Sequence, residues 1–160
     1  MMTAENFLHI TLSEGIRIIK EHLEEQEHKE RTPDGLSPET LTLFRCFKDA
    51  YDGRDLNKLS QVISLSYSGN FYGASNKEEL LNFFENVFDN LPMAMAPKLQ
   101  ITVHKILDQD TSLFQCMVDF KSRLTVLGVP VANFDSGIVL CKSEPEGKHG
   151  IWKLTSIETV

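Results

Sequence analysis

Asp135 is the carboxylate in this sequence with the strongest claim to acid/base chemistry. It lies between Phe134 and Ser136 in an otherwise apolar, strand-like run. Turned into an apolar pocket it would lose hydration, its pKa would rise, and it would accept or donate a proton near neutrality. Turned outward it would be an ordinary solvated aspartate, and the weak alternation around it leaves both orientations open. Tyr51, Tyr67, Tyr72 and Trp152 each join an apolar body to one polar tip. Such side chains suit a pocket that orients a mainly apolar ligand, and they serve as well in ordinary core packing. No glycine-rich phosphate loop, nucleophile elbow or paired-carboxylate motif accompanies them.

The remaining reactive residue types point to bland roles. His9, His22, His28 and His149 have no metal-ligand spacing, so no metal site is expected, and His104 falls opposite an apolar stripe. Cys46, Cys116 and Cys141 are an odd, widely spaced set, which predicts reduced thiols; apolar neighbours predict that they are buried. Asp119 and Arg123 flank Lys121 on one strand face and read as a surface or interface charge network. A net charge of −7 with scattered lysines and arginines excludes the concentrated positive field that nucleic acid needs. No apolar run approaches the ~20 residues that span a bilayer. The amino terminus MMTAENFLHITLSEG has no basic, apolar and small-residue signal order, so a cytoplasmic protein is expected.

A chain of 160 residues can bury one substantial core. Residues 1–31 predict a helical extension: Ser13 can cap a helix with Leu12, Ile16, Ile19 and Leu23 on one stripe. After the break at Thr32-Pro33-Asp34-Gly35, a domain over residues 37–160 begins at Ser37-Pro38-Glu39, a cap-and-proline signal. Leu41, Phe44, Phe47 and Tyr51 form the stripe of its first helix, and Asp55 can cap a short second one. Leu65 to Gly73 predicts a short strand running into a tight bend. Ser75 and Glu78 predict a capping box for a helix with Leu80, Phe83, Phe84, Val87, Phe88 and Leu91 on one face. From Leu99 the period becomes two, through Phe114, Cys116, Val118 and Phe120. Gly128-Val129-Pro130 predicts a turn. Strands around Val131–Cys141 and Ile151–Ile157 follow, separated by a polar hairpin over Lys142–Gly150. The order implies an α+β fold with three helices on an antiparallel sheet. Gln115, Asp119, Lys121 and Arg123 would lie on the other, half-exposed face, a natural subunit contact.

The run FRCFKDAYDGRDLNKLSQVISLSYSGNFYG from Phe44, the helix SNKEELLNFFENVF and the late NFDSGIVL and GIWKLTSIE segments resemble the nuclear-transport-factor-two-like superfamily. That superfamily includes SnoaL-like cyclases and ketosteroid isomerase, and the likeness covers about residues 38 to 158. It implies a cystatin-like curved sheet packed on three helices, a cone with an apolar pocket, and frequently a homodimer formed through the sheet. Phe47, Tyr51, Tyr67, Asn70, Tyr72, Phe84, Phe120 and Trp152 are the expected pocket residues. The isomerase's carboxylate base falls at Asn70, which cannot take a proton, and its tyrosine falls at Phe47, which has no hydroxyl. Its second acid survives as Asp135. The expectation is therefore a pocket domain, without cofactor, that binds a small, largely apolar ligand or a protein partner. The alternative is a small SnoaL-type isomerase, cyclase or hydrolase with Asp135 as acid/base and Tyr51 or Tyr72 as hydrogen-bond donor.

Overall fold

In the computed structural model, which describes residues 35–160, the first helix starts at the serine–proline signal. The expected extension over residues 1–31 lies outside the described residues. Helix α1 (Pro38–Asp52) is capped by the Ser37 hydroxyl, which accepts from the Thr40 N–H at 3.3 Å. Helix α2 (Leu56–Val62) is capped by Asp55, which accepts from the Lys58 N–H at 3.0 Å. Helix α3 (Lys77–Asn90) begins one residue later than its expected box. Asn76 takes the Glu79 N–H at 2.9 Å, and Glu79, not Glu78, reaches back to the Ser75 N–H at 3.1 Å. Asn caps as well as Ser, and both positions three residues on are Glu, so local preference alone does not choose between the two registers.

The expected strand after Leu65 does not form as a regular element. Ile63 makes a single parallel bridge to Leu154. Beyond it, the N–H groups of Ser64, Ser68 and Asn70 donate to the carbonyls of Leu154, Thr155 and Ile157 at 2.9, 3.0 and 3.2 Å. Between them the Ser64 hydroxyl takes the Ser66 N–H at 3.1 Å, a local bond that competes with a ladder. The segment thus runs along the sheet edge without joining it as a strand, then enters a 3-10 turn at Phe71–Gly73.

The sheet is an antiparallel meander of β1 (Met95–Gln109), β2 (Phe114–Val126), β3 (Val129–Glu146) and β4 (Ile151–Thr159), in that spatial order. The β2–β3 turn is Leu127-Gly128, both left-handed (φ 51° and 80°), and Val129 and Pro130 already pair with Val126 and Thr125. Two left-handed residues match the twist of the flanking strands, which moves the turn one residue back from its expected place. Strand β3 also continues through Glu146, well into the expected polar hairpin. Ser143 there is 1% exposed, so this polar position faces inward while Glu144 beside it is exposed.

All three described helices pack on one sheet face. Phe114, Cys116, Val118 and Phe120 of β2 are buried there against Phe44, Phe47, Leu59 and Phe84. The charged positions of β2 lie on the other face, as alternation requires. Arg123, however, is 2% exposed rather than solvated. Strand alternation assigns a side chain to a face but not the cover that face receives. Cys46 departs from expectation too: it is exposed, while Cys116 and Cys141 are buried. Its neighbours Phe44 and Phe47, two positions before it and one after, do not share its side of the helix. Arg54 ties the α1–α2 corner to the loop before β1, donating to the carbonyls of Leu91 (3.1 Å), Pro92 (3.0 Å) and Met95. Among the described residues no helix is long and apolar enough to cross a membrane.

Candidate ligand pocket

Between the helices and the inner sheet face lies a cavity of about 220 Å³. Phe47 and Tyr51, one helical turn apart, enter it from α1. Phe83, Phe84, Val87, Asn86 and Asn90 face it from α3, and Leu99, Phe120 and Ser122 form its floor on β1 and β2. Phe134 and Ser136 on β3, with Phe71 and Tyr72 from the 3-10 turn, complete the wall.

The rings set one another's positions. Phe47 meets Phe84 edge to face at 5.8 Å and Phe120 at 5.7 Å, and Tyr51 meets Phe84 at 6.1 Å. The two contacts to Phe84 are edge-to-face arrangements that aromatic quadrupoles favour, and the Phe120 ring is tilted at 39°. Among the described residues, none that lines the cavity is an acid, a lysine, an arginine or a histidine. The polar features are small. The Tyr51 hydroxyl and the Ser122 Oγ share a buried hydrogen bond of 2.7 Å. Burial pushes the Tyr51 phenol above its ordinary range, against the opposing pull of Ser122, so the pair is neutral. Asn90 turns its Nδ2 back to the Asn86 carbonyl at 2.7 Å.

No family model matches the chain, and no curated protein sequence does. Solved structures do resemble it. ActVI-ORFA from Streptomyces coelicolor aligns with 81% of this chain and 96% of its own, at 14% identity and a TM-score of 0.60. A Nostoc punctiforme protein of unknown function with a cystatin-like fold aligns over 75% and 87%, at 17% identity and 0.56. The chain has a cystatin-like fold. A third similar structure, from Catenulispora acidiphila in complex with S-DNPA, covers 75% of this chain and 90% of its own at 12% identity and 0.59. At these identities the likeness concerns the fold alone; chemistry depends on the pocket residues themselves.

Within the cystatin-like frame, Phe47, Tyr51, Tyr72, Phe84 and Phe120 line one cavity together. Three expected pocket residues do not join them. Tyr67 is 3% exposed, with its hydroxyl donating to the Ile157 carbonyl at 3.3 Å. Trp152 pairs with Pro145 and packs half-buried against the core outside the cavity. Asn70 clasps the end of β4, its Oδ1 accepting from the Thr159 N–H at 2.8 Å, and borders only an adjoining cleft.

Asp135 stands apart from the cavity. The residue pairs with Lys121, which lies between the lining residues Phe120 and Ser122 on β2, so both Lys121 and Asp135 take the opposite face. There its side chain is 41% exposed, with the Lys121 ammonium at 3.9 Å and the Gly137 N–H donating at 2.8 Å. Partial burial works to raise its pKa. The hydrogen bonds with Asp119 and Gly137, and the charges of Lys121 and His104, outweigh that and hold the carboxyl below its usual range. This is the reverse of the environment that tunes a carboxylate for proton transfer at neutral pH. Pattern reading did not assign Phe71, Phe83, Asn86, Val87, Asn90, Leu99, Ser122, Phe134 or Ser136 to the pocket, and of these the one that supplies the hydrogen bond to Tyr51 is Ser122. An inward phase in β2, between Phe120 and Leu124, was its available signal.

Proposed function

We propose that the chain is a binding domain for a small, uncharged, largely aromatic molecule held in the α1–α3–sheet cavity. The observation that carries this reading is an aromatic cavity of about 220 Å³ to which the described residues bring no acid or basic side chain. A closed apolar cavity of about 150 Å³ is enough for benzene, so this one suits a single substituted ring or a compact bicycle. Bringing a charge into it would strip hydration with no countercharge in return, a cost of several kcal/mol. The Catenulispora acidiphila neighbour, solved in complex with S-DNPA, supports the view that such a frame can hold a small molecule. The isomerase, cyclase or hydrolase reading through Asp135 draws no support from the geometry, because Asp135 faces away from the cavity.

Acetophenone and benzoate test this reading, because they share one shape and differ in charge. In NMR titrations of the full chain at pH 7, acetophenone should bind at least about tenfold tighter than benzoate. Equal or tighter binding of benzoate would overturn the reading.

A homodimer through the sheet belongs to the same proposal. It is supported by Ile138, which is 47% exposed and pairs with Asp119 on the face that carries no described helix. Sedimentation of the full chain should give about twice the 18.2 kDa chain mass; a single-chain mass removes the dimer from the account.

A further inference from the structure

We propose that Tyr72 is the specificity-determining residue of this pocket, its hydroxyl donating to an acceptor oxygen on the ligand. The ligand class narrows accordingly to neutral aromatic molecules bearing a carbonyl or similar acceptor. This inference rests on the binding role proposed above.

Four observations lead to it. The first is backbone strain. Tyr72 has φ 51° and ψ 33°, a left-handed conformation that costs a non-glycine residue about 1–2 kcal/mol. Strain of this kind persists only where surrounding structure fixes it, and it is concentrated at ligand clamps.

The second is that the ring is held from three sides. It stacks on Phe83 at 4.7 Å and 9°, meets Phe71 edge-on at 4.5 Å, and tilts against Phe134 at 5.5 Å. A ring so confined presents its hydroxyl in one place, which lowers the entropy lost on binding.

The third is position. Phe71, Tyr72 and Ser136 line both the aromatic cavity and the adjoining cleft bordered by Asn70 and Thr159. Tyr72 therefore stands where the aromatic cavity meets a second cleft that Asn70 and Thr159 border, a place where the acceptor end of a ring-shaped ligand would emerge.

The fourth is hydrogen-bond accounting. Ser136 Oγ donates to the Gly137 carbonyl at 2.7 Å and accepts from the Phe120 N–H at 3.1 Å. Asn70 Oδ1 is engaged by Thr159, and Tyr51 by Ser122. The Tyr72 hydroxyl makes no hydrogen bond among the described residues, although the residue is partly buried. Partly buried donors gain most from a new acceptor, since desolvation has already weakened their competition from water. Burial first, and then the carboxylate of Asp135, push the Tyr72 phenol well above its ordinary range. It is therefore a donor throughout the neutral range and never a phenolate.

The test uses a second isosteric pair, acetophenone and cumene, which differ by a carbonyl oxygen against a methyl group. Both are titrated by NMR into the wild-type chain and into Tyr72→Phe, which keeps the ring and its stacking. Acetophenone should bind the variant about five- to tenfold more weakly, the equivalent of one neutral hydrogen bond, while cumene binding stays within about twofold. A parallel loss for both ligands, as a loosened pocket would give, overturns the proposal. So does an unchanged acetophenone affinity, or a selective acetophenone loss in Tyr51→Phe that Tyr72→Phe does not show. If neither ligand binds the wild-type chain, the proposal falls together with the binding role beneath it; if both bind and Tyr72→Phe is indifferent, it falls alone.

Discussion

Replacing Phe84 with alanine should lower folding stability by about 3–5 kcal/mol, the range for deleting a buried phenyl ring. Phe84 is 4% exposed in the middle of α3. Its ring meets those of Phe47, Tyr51, Phe83 and Phe88 at centroid distances of 5.8, 6.1, 5.3 and 6.4 Å. Each of those contacts goes at once in the variant, and α3 loses its main anchor to α1. The space opened joins an existing cavity instead of forming a closed void, so the lower part of the range is expected. For a chain of this size that is a fall in Tm on the order of 10 °C. Urea denaturation checks the value, read as a shift in midpoint at constant slope. A loss below about 1 kcal/mol would mean that the ring does not pack as described, and the wall of the cavity would have to be redrawn.

Gly69→Ala should be nearly as damaging, for a different reason. A Cβ at Gly69 would stand 2.5 Å from the Ile157 carbonyl oxygen and 2.8 Å from the Tyr67 hydroxyl. The oxygen belongs to the backbone of β4 and cannot swing aside, so the 68–70 segment must lift from the sheet edge. Lifting it weakens the bonds from Ser68 to Thr155 and from Asn70 to Ile157. Overpacking of about 1–3 kcal/mol, with about 1 kcal/mol shared between the two weakened bonds, gives a loss of roughly 2–4 kcal/mol. Gly73 serves as the control: it has φ 81°, with open space around its Cβ position. Alanine there should cost only the left-handed backbone, about 1–2 kcal/mol. Equal costs at the two positions would show that close approach to β4 is not what glycine provides at position 69.

The helices were largely legible because caps and stripes are local. Ser37 and Asp55 sit where short-range chemistry places them, and the Leu80–Phe84–Phe88 spacing defines one buried face whatever it packs against. The pocket was legible only in part. Phe47 and Tyr51 share a helix face by spacing alone, whereas Tyr67 and Trp152 have the right chemistry and the wrong location. Their positions depend on pairing with Ile157 and Pro145, contacts 90 and 7 residues away that no local pattern encodes. Asp135 was ambiguous for a physical reason. The β2–β3 register shifts between Asp119 and Lys121, the Ser136 hydroxyl takes the Phe120 N–H, and Gly137 is left-handed. A bulge of this kind resets the two-residue phase, so alternation cannot be carried across it. The cysteines show the same divide. Apolar context foretold the burial of Cys116 and Cys141, but not that they face one another across β2 and β3.

We propose above that this cystatin-like chain receives an uncharged aromatic molecule in the cavity between α1, α3 and the sheet. Residue-resolved NMR during the acetophenone titration tests it most directly. Saturable shifts should concentrate on Phe47, Tyr51, Phe84, Phe120 and Ser122, which line the cavity. Asp135 and Trp152, which do not line it, should stay silent. Shifts centred on Asp135 and Lys121, or none at any of the lining residues, would contradict the account.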